Sequence, residues 1–257
     1  MKRIALMVVV GVFLFSGIAN AALTLIGTAS YDSDGNGTPE TYNLIHMDDG
    51  PFGPITWLDY TKEGDNWQNQ MNWASGLSFA EADIQLNPGY KSSIDWSTGW
   101  RLPETDESQA NLSGGFGYEG PDGNGYHDYM YGYNMVNSEM GQLYYEELDN
   151  KGYYATDGTN PQPGWGLNNT GDFNYLQAYN YWSGTESSPY DAWNFNFNVG
   201  SQGSYNKGGH LIPYALAVRP GDVSAVPVPG TVLLLGTGLA GLGVFRRGQR
   251  RRHWVIG

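Results

Sequence analysis

The run Ala192-Trp193-Asn194-Phe195-Asn196-Phe197-Asn198-Val199 alternates large apolar side chains with asparagines. Successive side chains of a strand point to opposite faces, so this spacing predicts a strand with one buried aromatic face and one face carrying an amide ladder of Asn194, Asn196 and Asn198. Strand-like runs also stand at residues 177–183 and 214–219, and upstream at 23–31, 42–46 and 55–60. Three helices are expected between them. Asp65 or Asn66 caps the first, whose Trp67, Met71 and Ala74 recur on one face before Gly76. Pro103, Glu104 and Asp106 suit the first turn of a second, running toward Leu112. Ser138 caps the third, with Met140, Leu143, Tyr144 and Leu148 as its apolar stripe and residues 150–152 as its end. These elements and the intervening Gly/Tyr-rich loops predict an α+β fold of short antiparallel strands with Trp100, Trp182 and Trp193 in its core.

The composition fits that reading. The chain has 257 residues, 40% hydrophobic and 14% aromatic, enough for a substantial core. Its net charge of −13 disfavours contact with a phosphate backbone, which excludes nucleic acid as a partner. With no cysteine, disulfides, thiolate metal sites and cysteine nucleophiles are all excluded.

The two ends read differently from the body. Residues 1–21 carry Lys2 and Arg3, an apolar run and Ala19-Asn20-Ala21, the order of a cleaved signal peptide; the competing reading is a retained anchor. Residues 226–257 carry Pro227-Val228-Pro229-Gly230, an apolar stretch, then Arg246, Arg247, Arg250, Arg251 and Arg252. As a helix, residues 230–245 reach about 24 Å, short of the ~30 Å hydrocarbon core, and five glycines dilute them. The arginines keep their side of this marginal anchor cytoplasmic and leave the body, 22–225, outside. Seven of the 13 basic residues lie in the two ends, so the body holds six against all 26 acidic ones, a net −20.

This tail resembles the PEP-CTERM sorting signal of Gram-negative exopolysaccharide producers, with Val228 where the family carries glutamate. The resemblance implies an exosortase-type sorting enzyme as partner, transient anchoring in the inner membrane, and delivery to the cell surface or medium. A plain C-terminal anchor is the alternative.

Within the body, Asp32-Ser33-Asp34-Gly35-Asn36-Gly37-Thr38-Pro39-Glu40 places oxygen ligands at alternating positions with glycine at the sixth, as a calcium loop does. Asp32, Asp34, Asn36, Thr38 (through its carbonyl) and Glu40 are the candidate ligands. Position 12 of the loop is Asn43, where the full motif has a bidentate acid. A plain hairpin turn uses the same residue types.

Gly99-Trp100-Arg101-Leu102-Pro103, Tyr181-Trp182-Ser183-Gly184-Thr185, Ala192-Trp193 through Gly200, and Ala217-Val218-Arg219-Pro220 resemble, in order and spacing, the signatures of the Lcl C-terminal domain family. The resemblance covers residues 44–222 and implies a C-type-lectin-like fold with a long binding loop region. It assigns no enzyme activity.

Catalytic vocabulary is sparse. His46, His127, His210 and His253 form no metal-spaced motif, and neither a nucleophile elbow nor a phosphate-binding loop occurs. The body is expected to be non-catalytic. One reading makes it a binding module for exopolysaccharide, with Tyr126, Tyr129, Tyr131, Tyr133, Trp165 and the amides of Asn194, Asn196 and Asn198 facing sugar. The other makes it an acidic matrix or surface protein without a specific ligand.

Overall fold

Three eight-residue strands open the folded body: β1 (Thr24–Tyr31), β2 (Glu40–Met47) and β3 (Ile55–Lys62). There follow α1 (Trp67–Gly76), the short strands β4 (Ile84–Leu86), β5 (Tyr90–Ser92) and β6 (Gly132–Tyr133), and α2 (Glu139–Gln142), which continues as a π-helical turn over Leu143–Glu147. The chain then forms β7 (Asn180–Glu186), β8 (Asp191–Asn196), β9 (Ser201–Asn206), β10 (Ala215–Pro220) and β11 (Val223–Ala225). This computed structural model describes residues 23–106 and 132–226.

The strands form an antiparallel five-stranded sheet in the order β10-β3-β2-β1-β4, a four-stranded sheet β6-β9-β8-β7, and a small β5–β11 ladder. The two larger sheets meet where Tyr181 of β7 bridges Tyr214, just before β10. Among the described residues the sheets are mostly antiparallel and two short helices accompany them, so the α+β expectation holds at that level.

Both faces of the large sheet are covered. Leu44, Leu58 and Ala217 enter one apolar cluster with Trp67, Trp100 and Trp182. Their neighbours Ile45, Trp57 and Val218 enter a second with Met140, Tyr144 and Phe195. A sheet buried on both sides needs apolar residues at successive positions, which is why these strands read as continuous apolar runs. Trp100, Trp182 and Trp193 are all buried.

The same double coverage corrects the expected amide ladder. Asn194 stands opposite Trp182 across the β7–β8 ladder and is itself buried, its Nδ2 donating to the Gly203 carbonyl at 3.0 Å. Strand β8 then ends at Asn196, whose Oδ1 accepts the N–H of Asn198 at 2.8 Å and turns the chain toward β9. Gly200 completes the turn at φ 73°, and a Cβ there would meet the Tyr145 hydroxyl at 2.5 Å.

The first helix forms as expected, with Asn66 Oδ1 accepting the Asn69 N–H at 3.0 Å. Ser138 likewise caps α2 through the Gly141 N–H, at 2.9 Å. No helix starts at Pro103. Residues 103–106 are extended instead, because tertiary partners claim their backbone: Pro103 O accepts from Gly184 N, and Thr105 N donates to Thr185 Oγ1. The remainder of that expected helix lies outside the described residues.

Candidate ligand-binding surface

Four rings form a continuous strip beside the β8–β9 turn. Trp165 meets Tyr153 at 5.1 Å, Tyr153 meets Tyr154 at 5.3 Å, and Tyr154 meets Tyr133 of β6 at 4.9 Å. Trp165 is 36% exposed, and the three tyrosines are half-buried. Backbone hydrogen bonds fix the segment: Tyr153 N donates to Val199 O at 2.7 Å, Gln162 N to Tyr153 O at 3.0 Å, and Gly166 N to Lys151 O at 2.9 Å. Such half-buried rings are held by the fold while one flank stays open, the arrangement that stacks on an apolar sugar face with little ordering cost.

Of the residues singled out from sequence, Tyr133, Trp165 and Asn198 come together here, since the Asn198 carbonyl lies against Gly166 and the Asn198 side chain is exposed. Asn194 is buried elsewhere, and the Asn196 amide oxygen is occupied in the turn. Tyr126, Tyr129 and Tyr131 lie outside the described residues. Tyr153 and Tyr154 were not among the sequence candidates. Their only signal is a pair of aromatics after Gly152, at the head of a Gly/Pro/Asn-rich stretch that otherwise reads as plain loop.

The acidic loop is the connection between β1 and β2, with Tyr31 paired to Glu40 at its base. The carboxylates of Asp32, Asp34 and Glu40 converge, offering oxygens within 4.8 Å of one another. Asp32 Oδ2 accepts the Gly37 N–H at 2.9 Å, and Gly37 takes φ 86°, a conformation that favours glycine. Asp34 accepts from the Asn36 backbone and side chain at 3.0 and 2.8 Å. Asn36 Oδ1 in turn accepts the Thr38 N–H at 2.8 Å. Asp32 Oδ1 is buried without a hydrogen-bond partner, and a hard cation would satisfy it. The loop is thus both a hairpin turn and an all-oxygen cluster of the kind calcium accepts. Of the expected ligands, Asp32, Asp34 and Glu40 bring their carboxylates together, while Asn36 Oδ1 is engaged within the turn by the Thr38 N–H.

Tyrosines border this hairpin. Ser33 Oγ lies 2.7 Å from the Tyr42 hydroxyl, and Tyr42 packs on Tyr60 at 5.1 Å and on Tyr175 at 5.2 Å. Burial pushes the Tyr60 hydroxyl up to about 12, so it stays a neutral donor across physiological pH. Tyr175 is held by Asp59, a fully buried carboxylate that accepts the N–H of Asn174 at 2.8 Å and of Tyr175 at 3.1 Å. His46 is also buried, with Nδ1 at 2.9 Å from Thr56 Oγ1, whereas His210 is exposed in a separate loop. The two form no joint site.

Residues 225–251 match the PEP-CTERM protein-sorting motif. The chain carries an exosortase sorting signal. The match begins at the last residue of β11, so the folded body runs directly into the signal. A PEP-CTERM signal marks an exported protein of the cell surface or extracellular space, processed by an exosortase. The prolines, the apolar segment and four of the five arginines, among them Pro227, Val228, Pro229, Gly230, Arg246 and Arg247, fall within the matched span. No curated protein and no solved structure matches the chain.

Proposed function

We propose that this exported protein is a non-catalytic binding module for neutral exopolysaccharide, with the strip Trp165–Tyr153–Tyr154–Tyr133 as its sugar platform. The backbone-braced aromatic strip, with three half-buried tyrosines and an exposed Trp165, carries this reading. Asn198 beside it supplies an amide to pair with hydroxyls, as polar groups in sugar sites do. The resemblance to the Lcl C-terminal domain, with its C-type-lectin-like fold, supports the same assignment for residues 44–222. The net −20 of the body disfavours uronic-acid polymers, and Arg101 and Lys207, two of its six basic residues, are already paired with carboxylates.

Calcium is proposed as a ligand of Asp32, Asp34 and Glu40, where it neutralises three converging carboxylates and stiffens the hairpin. The tail serves as a transient inner-membrane anchor until the sorting enzyme acts. Affinity electrophoresis of the secreted protein through gels cast with the producer's own polysaccharide tests the binding reading. Retardation supports it. Mobility unchanged over the full polymer range returns the body to the role of an acidic matrix protein.

A further inference from the structure

The registers give the large sheet two distinct ends. At one end Met47 faces Ile55 and Pro220 faces Ile55 across their ladders, with Thr24 opposite His46 close by. At the other, Tyr31 faces Glu40 and Lys62 faces Ala215. The acidic hairpin projects from the second end. The sorting tail leaves from the first: Gly221 N donates to Pro54 O, β11 pairs with β5, and Val226 N donates to Gly89 O at 2.6 Å. Asn87, two residues before Gly89, is tied to the start of β1 through the Ile26 and Leu25 carbonyls at 2.7 and 3.0 Å.

Lengths decide what this means for an anchored chain. The five steps from Val226, fixed in the ladder, to Thr231, where the apolar segment starts, span at most about 18 Å. The strands separating the two ends of the sheet are about 24 Å long, before the hairpin is added. The tether is shorter than the sheet, so the body cannot invert beneath its exit point and bring the hairpin to the bilayer.

We infer that, while the tail is inserted, the β5–β11 end is apposed to the surface of the inner membrane and the Asp32/Asp34/Glu40 hairpin is the membrane-distal face, turned away from the bilayer. This rests on the reading of the tail as an inserted anchor, and it makes the proposed cation site available to ligands before the chain is released. The absence of cysteine allows a clean test. Single-cysteine chains Thr38→Cys and Asn36→Cys at the hairpin, and Ser93→Cys beside β5, are dye-labelled and reconstituted in vesicles carrying a headgroup quencher. The dye at residue 93 is expected to be quenched several-fold more than either hairpin dye. Equal quenching, or stronger quenching at the hairpin positions, overturns the orientation. Flotation of the same vesicles reads the anchor independently: protein that remains at the bottom of the gradient overturns the anchor and the orientation with it, whereas floating protein with inverted quenching overturns the orientation alone.

Discussion

Glu139 is fully buried and grips Arg101 with both carboxylate oxygens, each at 2.7 Å from a guanidinium nitrogen. The pair ties the start of α2 to the segment that bridges β10 at Val218, and Glu139 also accepts the Glu104 N–H at 2.7 Å. Removing one partner leaves a buried charge without compensation, which costs roughly 3–5 kcal/mol. Arg101→Met is expected to lower the unfolding free energy measured in urea by an amount in that range, and Glu139→Gln by less, because Arg101 keeps Glu104 at 3.3 Å. Arg101→Lys should recover only part of the loss, since an ammonium cannot reproduce the two-pronged contact. Midpoints within error of the wild type would show that the pair is incidental.

Asp59 predicts a pH dependence with a definite sign. Burial pushes its carboxyl up to about 6, against the pull of the Asn174 and Tyr175 N–H donors. A carboxyl whose folded-state pKa lies above its unfolded value holds its proton more tightly in the folded protein. Its contribution to stability is therefore full below pH ~4 and is lost as pH rises through 6, amounting to roughly 3 kcal/mol. Tyr181 is the titratable group coupled to it and stays neutral in this range. Comparing denaturation free energies at pH 4.5 and 7.5, the wild type should lose more stability than Asp59→Asn. Parallel pH profiles for the two proteins would contradict the assignment.

The hairpin predicts a response specific to calcium. At an ion concentration ten times the dissociation constant, binding to the folded state alone adds roughly 1.4 kcal/mol. The melting temperature should rise with calcium well beyond the rise with magnesium at equal ionic strength, and the excess should vanish in Asp34→Ala. Equal stabilisation of that variant would reduce the loop to a turn.

Local features were legible in the sequence, and features set by tertiary contact were not. Caps at Asn66 and Ser138 act within one helical turn, so residue type and spacing sufficed to place both helix starts. Pro103 carried the same kind of local signal, yet the neighbouring strand β7 claimed its carbonyl and held the segment extended. The alternation from Trp193 onward revealed parity correctly, but parity does not say whether a second layer covers the polar face, and here Asn194 is covered. Strand β9 escaped notice because Ser201, Gln202 and Ser204 are polar, their burial being set by the sheet around them. For the site, the oxygen cluster was readable because its ligands are contiguous. The aromatic strip was only half readable, since Tyr153 and Tyr154 join Trp165 and Tyr133 through folding alone.

Exported and sorted at the surface, the protein is proposed to act by holding sugar on the Trp165 strip, and equilibrium binding to the producer's neutral polysaccharide tests this most directly. Dissociation constants are measured for the secreted wild type, Trp165→Ala, Tyr153→Ala and Asn194→Ala, with near-ultraviolet circular dichroism confirming that each is folded. The account predicts affinity at least about tenfold weaker, or about 1.4 kcal/mol, for the Trp165 and Tyr153 variants, and unchanged affinity for the buried Asn194. Wild-type affinity in both aromatic variants would contradict it.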